Sequence, residues 1–337
     1  MRLATYNVEW LGRLFDDRGR LLADDAPSGR EGVTRREQAE GLAHVLRALD
    51  ADALLVIEAP DDPARTLGPF ARAAGLRARA VLTGFPSGTR QEIALLHDPD
   101  RLAAVHDPQG GDPPRFDGTF RADLDGDGRP EPVTWGRAPL EAALLTPRGR
   151  ALRLIGVHAK SKAPHGARNA AQARRIAIEN RRKQLAQCLW LRARVDRHLA
   201  AGDPLVVLGD FNDGPGIDEH EAVFGRSGVE IVLGEGPTRL HDPHAARALA
   251  GPTAAQPATA RFRLPPDEAN PDEANPGGRW LSALLDYVMV SPDLRALRPR
   301  WRIWHPFDDA ACWKDERLRT ALLHASDHFP VTLDIDL

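Results

Sequence analysis

The chain has 337 residues, 42% hydrophobic and 28% charged, with a formal net charge of −3; these values exclude a disordered chain and a general basic field, so any polyanion must be met by a local patch of cations. Its two cysteines exclude a disulfide framework and a thiolate zinc site. No apolar run approaches the ~18 residues of a membrane span and no signal-peptide pattern opens the chain, so the expectation is a cytoplasmic protein with no membrane contact.

The length allows two domains or one large α/β domain. Leu3–Trp10 alternates apolar and polar residues and predicts a strand, with Ala4, Tyr6, Val8 and Trp10 on one face. Thr34-Arg35-Arg36-Glu37 has the spacing of a capping box, opening a helix that buries Leu42, Val45, Leu46 and Leu49. The continuous apolar run Ala53–Ala59 predicts a buried strand. Further strands are expected at Arg77–Leu82, Ile93–His97, Val133–Trp135, Ala142–Thr146 and Leu152–Ala159. A long helix follows from about Asn169 to about Ala200, then a strand at Leu205–Leu208 and a short helix near Ile217–Phe224. Strands return at Arg261–Leu264, Leu284–Val290, Arg300–His305 and Val331–Leu337. The repeat Asp267–Pro271 and Asp272–Pro276, with two prolines and four acids, has the composition of a mobile surface insertion spanning residues 265–279.

Several of these strands end in a polar residue where the pattern calls for an apolar one. They are Asn7 and Glu9 on the first strand, Glu58 in VIEA, His158 in LIGVHAK, Asp210 and Asn212 in VVLGDFN, Asp286 in LLDYVMV, and Asp327-His328 before the last strand. Each alone has an ordinary explanation as a solvated or capping residue. Glu58 is harder to dismiss, because a carboxylate after a buried run needs a partner or a metal. Ligands of α/β folds collect outside the carboxyl ends of strands.

The motifs TYNVEWL, VIEA, VHAKSK, LGDFND, LLDYVMVS and ASDHFPV resemble, in order and spacing, those of the endonuclease/exonuclease/phosphatase superfamily with its deoxyribonuclease-I-like fold. The resemblance runs from Thr5 to Val331. It implies a single domain over residues 1–337, an α/β four-layer α-β-β-α sandwich of two mixed sheets packed face to face with helices outside. It also implies phosphoester cleavage that depends on a divalent metal, Mg²⁺ or Mn²⁺. Residue by residue, Glu58 resembles the principal metal ligand, with Asn7, Glu9 and Asp327 beside it. Asp210 resembles the group that orients or deprotonates water, Asn212 its phosphate-holding neighbour, and His328 the phosphate-binding histidine supported by Asp286. His158 resembles a second phosphate-binding or acid histidine. VIEA departs from the common LQE form of the metal motif.

The chemistry of these residues fits that reading. Carboxylates plus an amide carbonyl make a hard oxygen site suited to Mg²⁺ or Mn²⁺. Lys160 and Lys162 follow His158 and are the expected phosphate-binding cations. Arg90, just before a strand, and Arg175, on the long helix, are further substrate-binding candidates, against the alternative of solvated arginines with Glu179 pairing to Arg175. Asp123, Asp125 and Asp127 resemble the first half of a calcium loop, but Thr134 stands at its twelfth position and a hairpin turn reads better. The leading expectation is a nuclease acting on DNA or RNA; the alternative is a phosphatase or phosphodiesterase of a small-molecule or lipid phosphoester. Oligomeric state is not legible.

Overall fold

Strand periodicity and helix caps organise the chain in the computed structural model, which describes residues 1–123, 128–164, 166–214, 225–251, 256–264 and 279–337. In chain order the elements are β1 (Arg2–Asn7), α1 (Arg35–Leu49), β2 (Ala53–Ala59), α2 (Pro63–Ala73), β3 (Ala80–Thr83), β4 (Glu92–His97), β5 (Ala103–His106), β6 (Phe120–Ala122), β7 (Glu131–Val133), β8 (Leu140–Leu145) and β9 (Ala151–His158). There follow α3 (Ala170–Ala200), β10 (Leu205–Asp210), α4 (Gly228–Leu233), α5 (Pro243–Leu249), β11 (Ala260–Leu264), β12 (Arg279–Ala283), β13 (Asp286–Val290), α6 (Pro292–Ala296), β14 (Arg300–Ile303), α7 (Ala310–Lys314), α8 (Glu316–Ala325) and β15 (Val331–Asp334).

Two mixed sheets result. One has six strands in the order β14-β15-β1-β2-β4-β3, the other five in the order β13-β10-β9-β8-β5. Each has one parallel pair near its centre, β1 with β2 and β9 with β10, flanked by antiparallel neighbours. The alternate residues Leu3, Leu55, Ile57, Leu154, Val206, Leu208, Val288 and Val331 form the core between the sheets. Gly156 lets them approach, since a Cβ there would meet Leu55 Cδ1 at 2.4 Å. The opposite face of the first sheet packs on Leu42, Val45, Leu46 and Leu49 of α1 and on Leu318 and Leu322 of α8. Each such fully buried side chain contributes roughly 1.5–3 kcal/mol. The outer face of the second sheet packs on Leu185, Trp190, Leu191 and Val195 of α3. This is the α/β sandwich of two mixed sheets between helices that the motifs imply.

The capping box at Thr34 and Glu37 forms as its spacing predicts, and Asn169 caps α3 by accepting from the Gln172 amide. Strand β1 stops at Asn7 rather than Trp10, because Glu9 and Trp10 take positive φ of 44° and 57° and turn the chain away. Trp10 is consequently 45% exposed instead of sharing the face of Tyr6 and Val8. The last strand ends at Asp334, although Ile335 still donates to the Met1 carbonyl at 2.9 Å. The helices α2 and α8 are among the additions to the expected elements; α2 opens with Asp62 as its cap and Pro63 at its first position.

Asp125 and Asp127, the helix expected near Ile217–Phe224, and the repeat at Asp267–Pro276 lie outside the described residues. On either side of the first, β6 and β7 pair antiparallel, and on either side of the last, β11 and β12 do so. No helix among the described residues is long and apolar enough to cross a membrane.

Candidate active site

The alternation that builds the inter-sheet core carries polar residues to one end of it. On β10, Val206 and Leu208 point between the sheets, so Asp210 does too; on β9 Leu152 and Leu154 lead to His158, and on β1 Leu3 and Thr5 lead to Asn7. Register then sets three of them abreast: Asp210 lies opposite His158 on the parallel β9 and opposite Asp286 on the antiparallel β13. Because β15 runs antiparallel to β1, the loop before it brings Asp327 and His328 to the same end. Gly209 permits the crowding at this point. Its φ is +137°, and a Cβ there would lie 2.0 Å from the Val157 carbonyl oxygen.

Hydrogen bonds tie these side chains together. His328 Nδ1 lies 2.7 Å from Asp286 Oδ2, and its Nε2 faces Asp210 Oδ2 at 4.0 Å. His158 Nε2 approaches the same Asp210 oxygen at 3.7 Å. Asn7 Nδ2 donates to Asp210 Oδ2 at 3.0 Å and reaches Glu58 Oε1 at 3.5 Å, so it links the two sheets. Asn212 donates through its backbone to Asp210 Oδ1 at 2.7 Å and through Nδ2 to Oδ2 at 3.2 Å. Glu58 accepts from the Trp10 amide at 2.9 Å. The Glu9 carboxylate is engaged by Arg30 Nη1 at 2.7 Å and by the Asp327 amide at 2.8 Å, which fastens the Asp327–His328 loop to the end of β1. Glu9, Trp10, Glu58 and Asn212 all have positive φ. Non-glycine residues held there cost about 1–3 kcal/mol each, and such strain gathers at functional sites.

A family model described as the endonuclease/exonuclease/phosphatase family matches residues 4–328. The chain belongs to the endonuclease/exonuclease/phosphatase family. No curated protein matches it in sequence. Among solved structures it is similar to TDP2 from Caenorhabditis elegans, with 15% identity, a TM-score of 0.51, and coverage of 100% of this chain and 74% of that one. It is also similar to D. rerio TDP2 complexed with single strand DNA product, with 12% identity, a TM-score of 0.51, and coverage of 100% of this chain and 99% of that one. At these identities the likeness is one of fold.

The family's phosphoester hydrolysis depends on a metal, and the buried acids at this site fit one. Among the described residues, Asp210, Asp286 and His328 cluster with donor atoms within 4.8 Å of one another, and Asn7 joins this cluster to Glu58. Asp286 Oδ1 is buried with no hydrogen-bond partner. Burial pushes the Asp210 carboxyl up to about 7 against the pull of His328, and Asp286 adds to the push. Burial and then the neighbouring Asp327 carboxylate push Glu9 up to about 7 in spite of Arg30. Negative charge is therefore under-compensated on both sides of Asn7, the condition that a hard cation relieves.

Each imidazole takes its charge state from its neighbours. Burial opposes a charge on His328, but Asp286 and Asp210 outweigh it and hold the pKa well above the ordinary imidazole value. His328 is thus an imidazolium presenting Nε2–H to the site. Burial, then Arg137 and His328, hold His158 well below that value. The close approach of His158 to Asp210 is accordingly a contact of a neutral ring, not an ion pair.

The cations expected to bind substrate differ in their surroundings. Lys162 Nζ lies 2.7 Å from Asp213 Oδ1, which also takes Arg181 Nη1 at 2.5 Å, while Asp213 Oδ2 accepts from the Gly228 amide at 2.6 Å. Arg181 is fully buried there, so these two cations brace the loop after β10. Lys160 is half-buried; burial, then Arg137 and Lys183, lower its pKa. Arg90 is exposed, 3.6 Å from Asp61. Arg175 lies on the exposed face of α3, 4.0 Å from Glu179.

Two residues at the site had no sequence signal. Arg137, before β8, bonds to Gln91 Oε1 and reaches the Ala159 carbonyl at 3.5 Å. Burial lowers its pKa while Glu58 and Asp210, within electrostatic reach, pull the other way. Asp213 is the other; an acid in a run already containing Asp210 gives no sign of its separate, buried partners.

Proposed function

We propose that this chain is a divalent-metal-dependent nuclease hydrolysing phosphodiester bonds of DNA or RNA. The observation that carries the reading is the buried group of Asp210, Asp286 and His328, in which a carboxyl with a raised pKa faces a histidine held as an imidazolium. That pairing supplies a proton acceptor and an electrostatic donor within one phosphate's width.

Mg²⁺ or Mn²⁺ would be held by Glu58 with Asn7 and Asp327, Glu9 fastening Asp327 behind them; when bound, the ion neutralises phosphate charge and favours departure of the leaving oxygen. Asp210 aligns the attacking water and takes its proton at Oδ2. His328, fixed by Asp286, donates from Nε2 to a phosphoryl oxygen as negative charge grows there. Asn212 Nδ2 and the Arg137 guanidinium donate to the same group from the second sheet. Neutral His158 orients the phosphate beside Asp210.

Arg137, Lys160 and Lys183 form the cation row that would follow a polymer away from the site. Because Lys162 and Arg181 are spent on Asp213, the row is short, which favours the second reading, a small-molecule or lipid phosphoester substrate. One panel separates them. The protein is assayed with Mg²⁺ and with Mn²⁺ on plasmid, single-stranded DNA, RNA, bis-p-nitrophenyl phosphate and p-nitrophenyl phosphate. A nuclease with three phosphate contacts should show a log–log salt slope of about −2 to −3 on nucleic acid. Preference for the monoester with little salt dependence would overturn the nuclease reading.

A further inference from the structure

Three of the exposed large apolar side chains form a line with two arginines. Trp280 is 57% exposed, Trp313 52% and Phe307 37%. The Arg261 guanidinium lies over both Trp280, at 5.2 Å from the ring centroid, and Phe307, at 5.0 Å. Phe307 continues to Trp313 with centroids 6.2 Å apart, and Arg319 lies over Trp313 at 4.7 Å. The order is Trp280, Arg261, Phe307, Trp313, Arg319.

The β11–β12 pairing explains the first step. Arg261 is opposite Ser282 and Arg263 opposite Trp280, so Arg261 and Trp280 are diagonal neighbours on one face. Ala260, Ala283 and Phe262 turn to the other face and pack together. The line starts at the catalytic loop: the Arg261 amide donates to the Asp327 carbonyl at 2.7 Å, and Ala260 bridges His328. His305 joins it from beneath, edge-on to Phe329 at 4.6 Å and to Phe307 at 5.9 Å.

Ion pairing along this face is sparse among the described residues. Arg263, on the same face, has Glu31 at 3.6 Å. Neither Arg261 nor Arg319 has an ion-pair partner among the described residues; Arg319 donates to the Trp313 carbonyl at 2.5 Å. A row of exposed aromatic side chains interleaved with guanidinium groups attracts flat π-systems linked by anions. Bases within a duplex have no free face, so the matching polymer is unpaired.

We propose that Trp280, Arg261, Phe307, Trp313 and Arg319 form a stacking platform for the unpaired bases of a single-stranded nucleic acid, leading its backbone to Asp327 and His328. This rests on the nuclease reading, which supplies the reason for such a strand beside the site. The chemistry shared by DNA and RNA single strands suffices; the platform selects strandedness rather than sequence.

Binding of fluorescein-labelled oligo-dT, oligo-U and a duplex of equal length is measured by anisotropy in EDTA, for the wild type, Trp280→Ala and Arg261→Gln. The platform predicts tighter binding of both single strands than of the duplex. Each variant should weaken single-strand binding roughly 5- to 100-fold, the range for loss of one stacked base. The ratio of kcat/KM for the oligonucleotide to that for bis-p-nitrophenyl phosphate should fall by a similar factor. A fall in both substrates alike would overturn the proposal, because it would show that the variants disturb the metal site or the fold. So would equal affinity for single strand and duplex with no effect of Trp280→Ala, and so would a wild-type dimer that this variant dissociates, which would assign the face to a second copy of the chain. Nucleic-acid hydrolysis without a stacking effect removes the platform alone; hydrolysis of small diesters only removes the nuclease reading and the platform with it.

Discussion

Asp286→Asn isolates the electrostatic part of the site. The substitution preserves volume and a hydrogen-bonding group opposite His328 Nδ1, now 2.7 Å from Asp286 Oδ2, but removes the charge that keeps the ring protonated. His328 Nε2 stands 4.0 Å from Asp210 Oδ2, which sets the scale for its distance to a reacting phosphoryl oxygen. Unit charges 4 Å apart interact by about 4 kcal/mol at an effective dielectric of 20. Only part of a unit charge develops in the transition state, so the expected loss is about 2–4 kcal/mol, roughly 30- to 1,000-fold in kcat. The assay is bis-p-nitrophenyl phosphate turnover at saturating Mn²⁺, with NMR titration of the His328 imidazole alongside. The ring should lose its proton at lower pH in the variant, and Mn²⁺ affinity should change little. A loss below about 3-fold in kcat would refute the reasoning. Unchanged kcat at restored metal saturation, with weakened Mn²⁺ binding, would make Asp286 a metal ligand instead of a partner for His328.

Arg137→Gln removes a charge-assisted donor and should cost about 1.5–3 kcal/mol, some 10- to 100-fold in kcat/KM, with the melting temperature little changed; full activity would place its guanidinium outside the reaction. Asp213→Asn removes the buried acid that Arg181 and Lys162 share. Denaturant unfolding should show a loss of about 3 kcal/mol or more, and a loss under about 1 kcal/mol would contradict a bracing role.

The strand-end residues were legible because they interrupt a pattern. Val206 and Leu208 fix which face Asp210 takes, and Leu152 and Leu154 do the same for His158, so alternation alone aims both side chains. Which strands lie side by side is not in the alternation, and the order β13-β10-β9 is seen only in the fold. The end of β1 was misjudged because Trp10 keeps the apolar rhythm while its backbone has already turned to φ 57°. Among cations, position after His158 grouped Lys162 with Lys160 as phosphate-binding residues. It could not reveal that Asp213 takes Lys162 together with the buried Arg181, since burial of that ion-pair cluster depends on how α3 crosses β10. Arg137 and the aromatic line were invisible for a like reason: their members come from segments far apart in the chain and meet only in the fold.

The central claim is that the strand ends form one metal-dependent phosphodiesterase site anchored by Glu58. Calorimetric titration of Mn²⁺ into the wild type and into Glu58→Gln, whose carboxylate accepts from the Trp10 amide at 2.9 Å in the parent, tests it most directly. The account predicts Mn²⁺ binding by the wild type and a loss of affinity of about 10-fold or more in the variant, with its fold retained by circular dichroism. Unchanged Mn²⁺ binding in Glu58→Gln would contradict it.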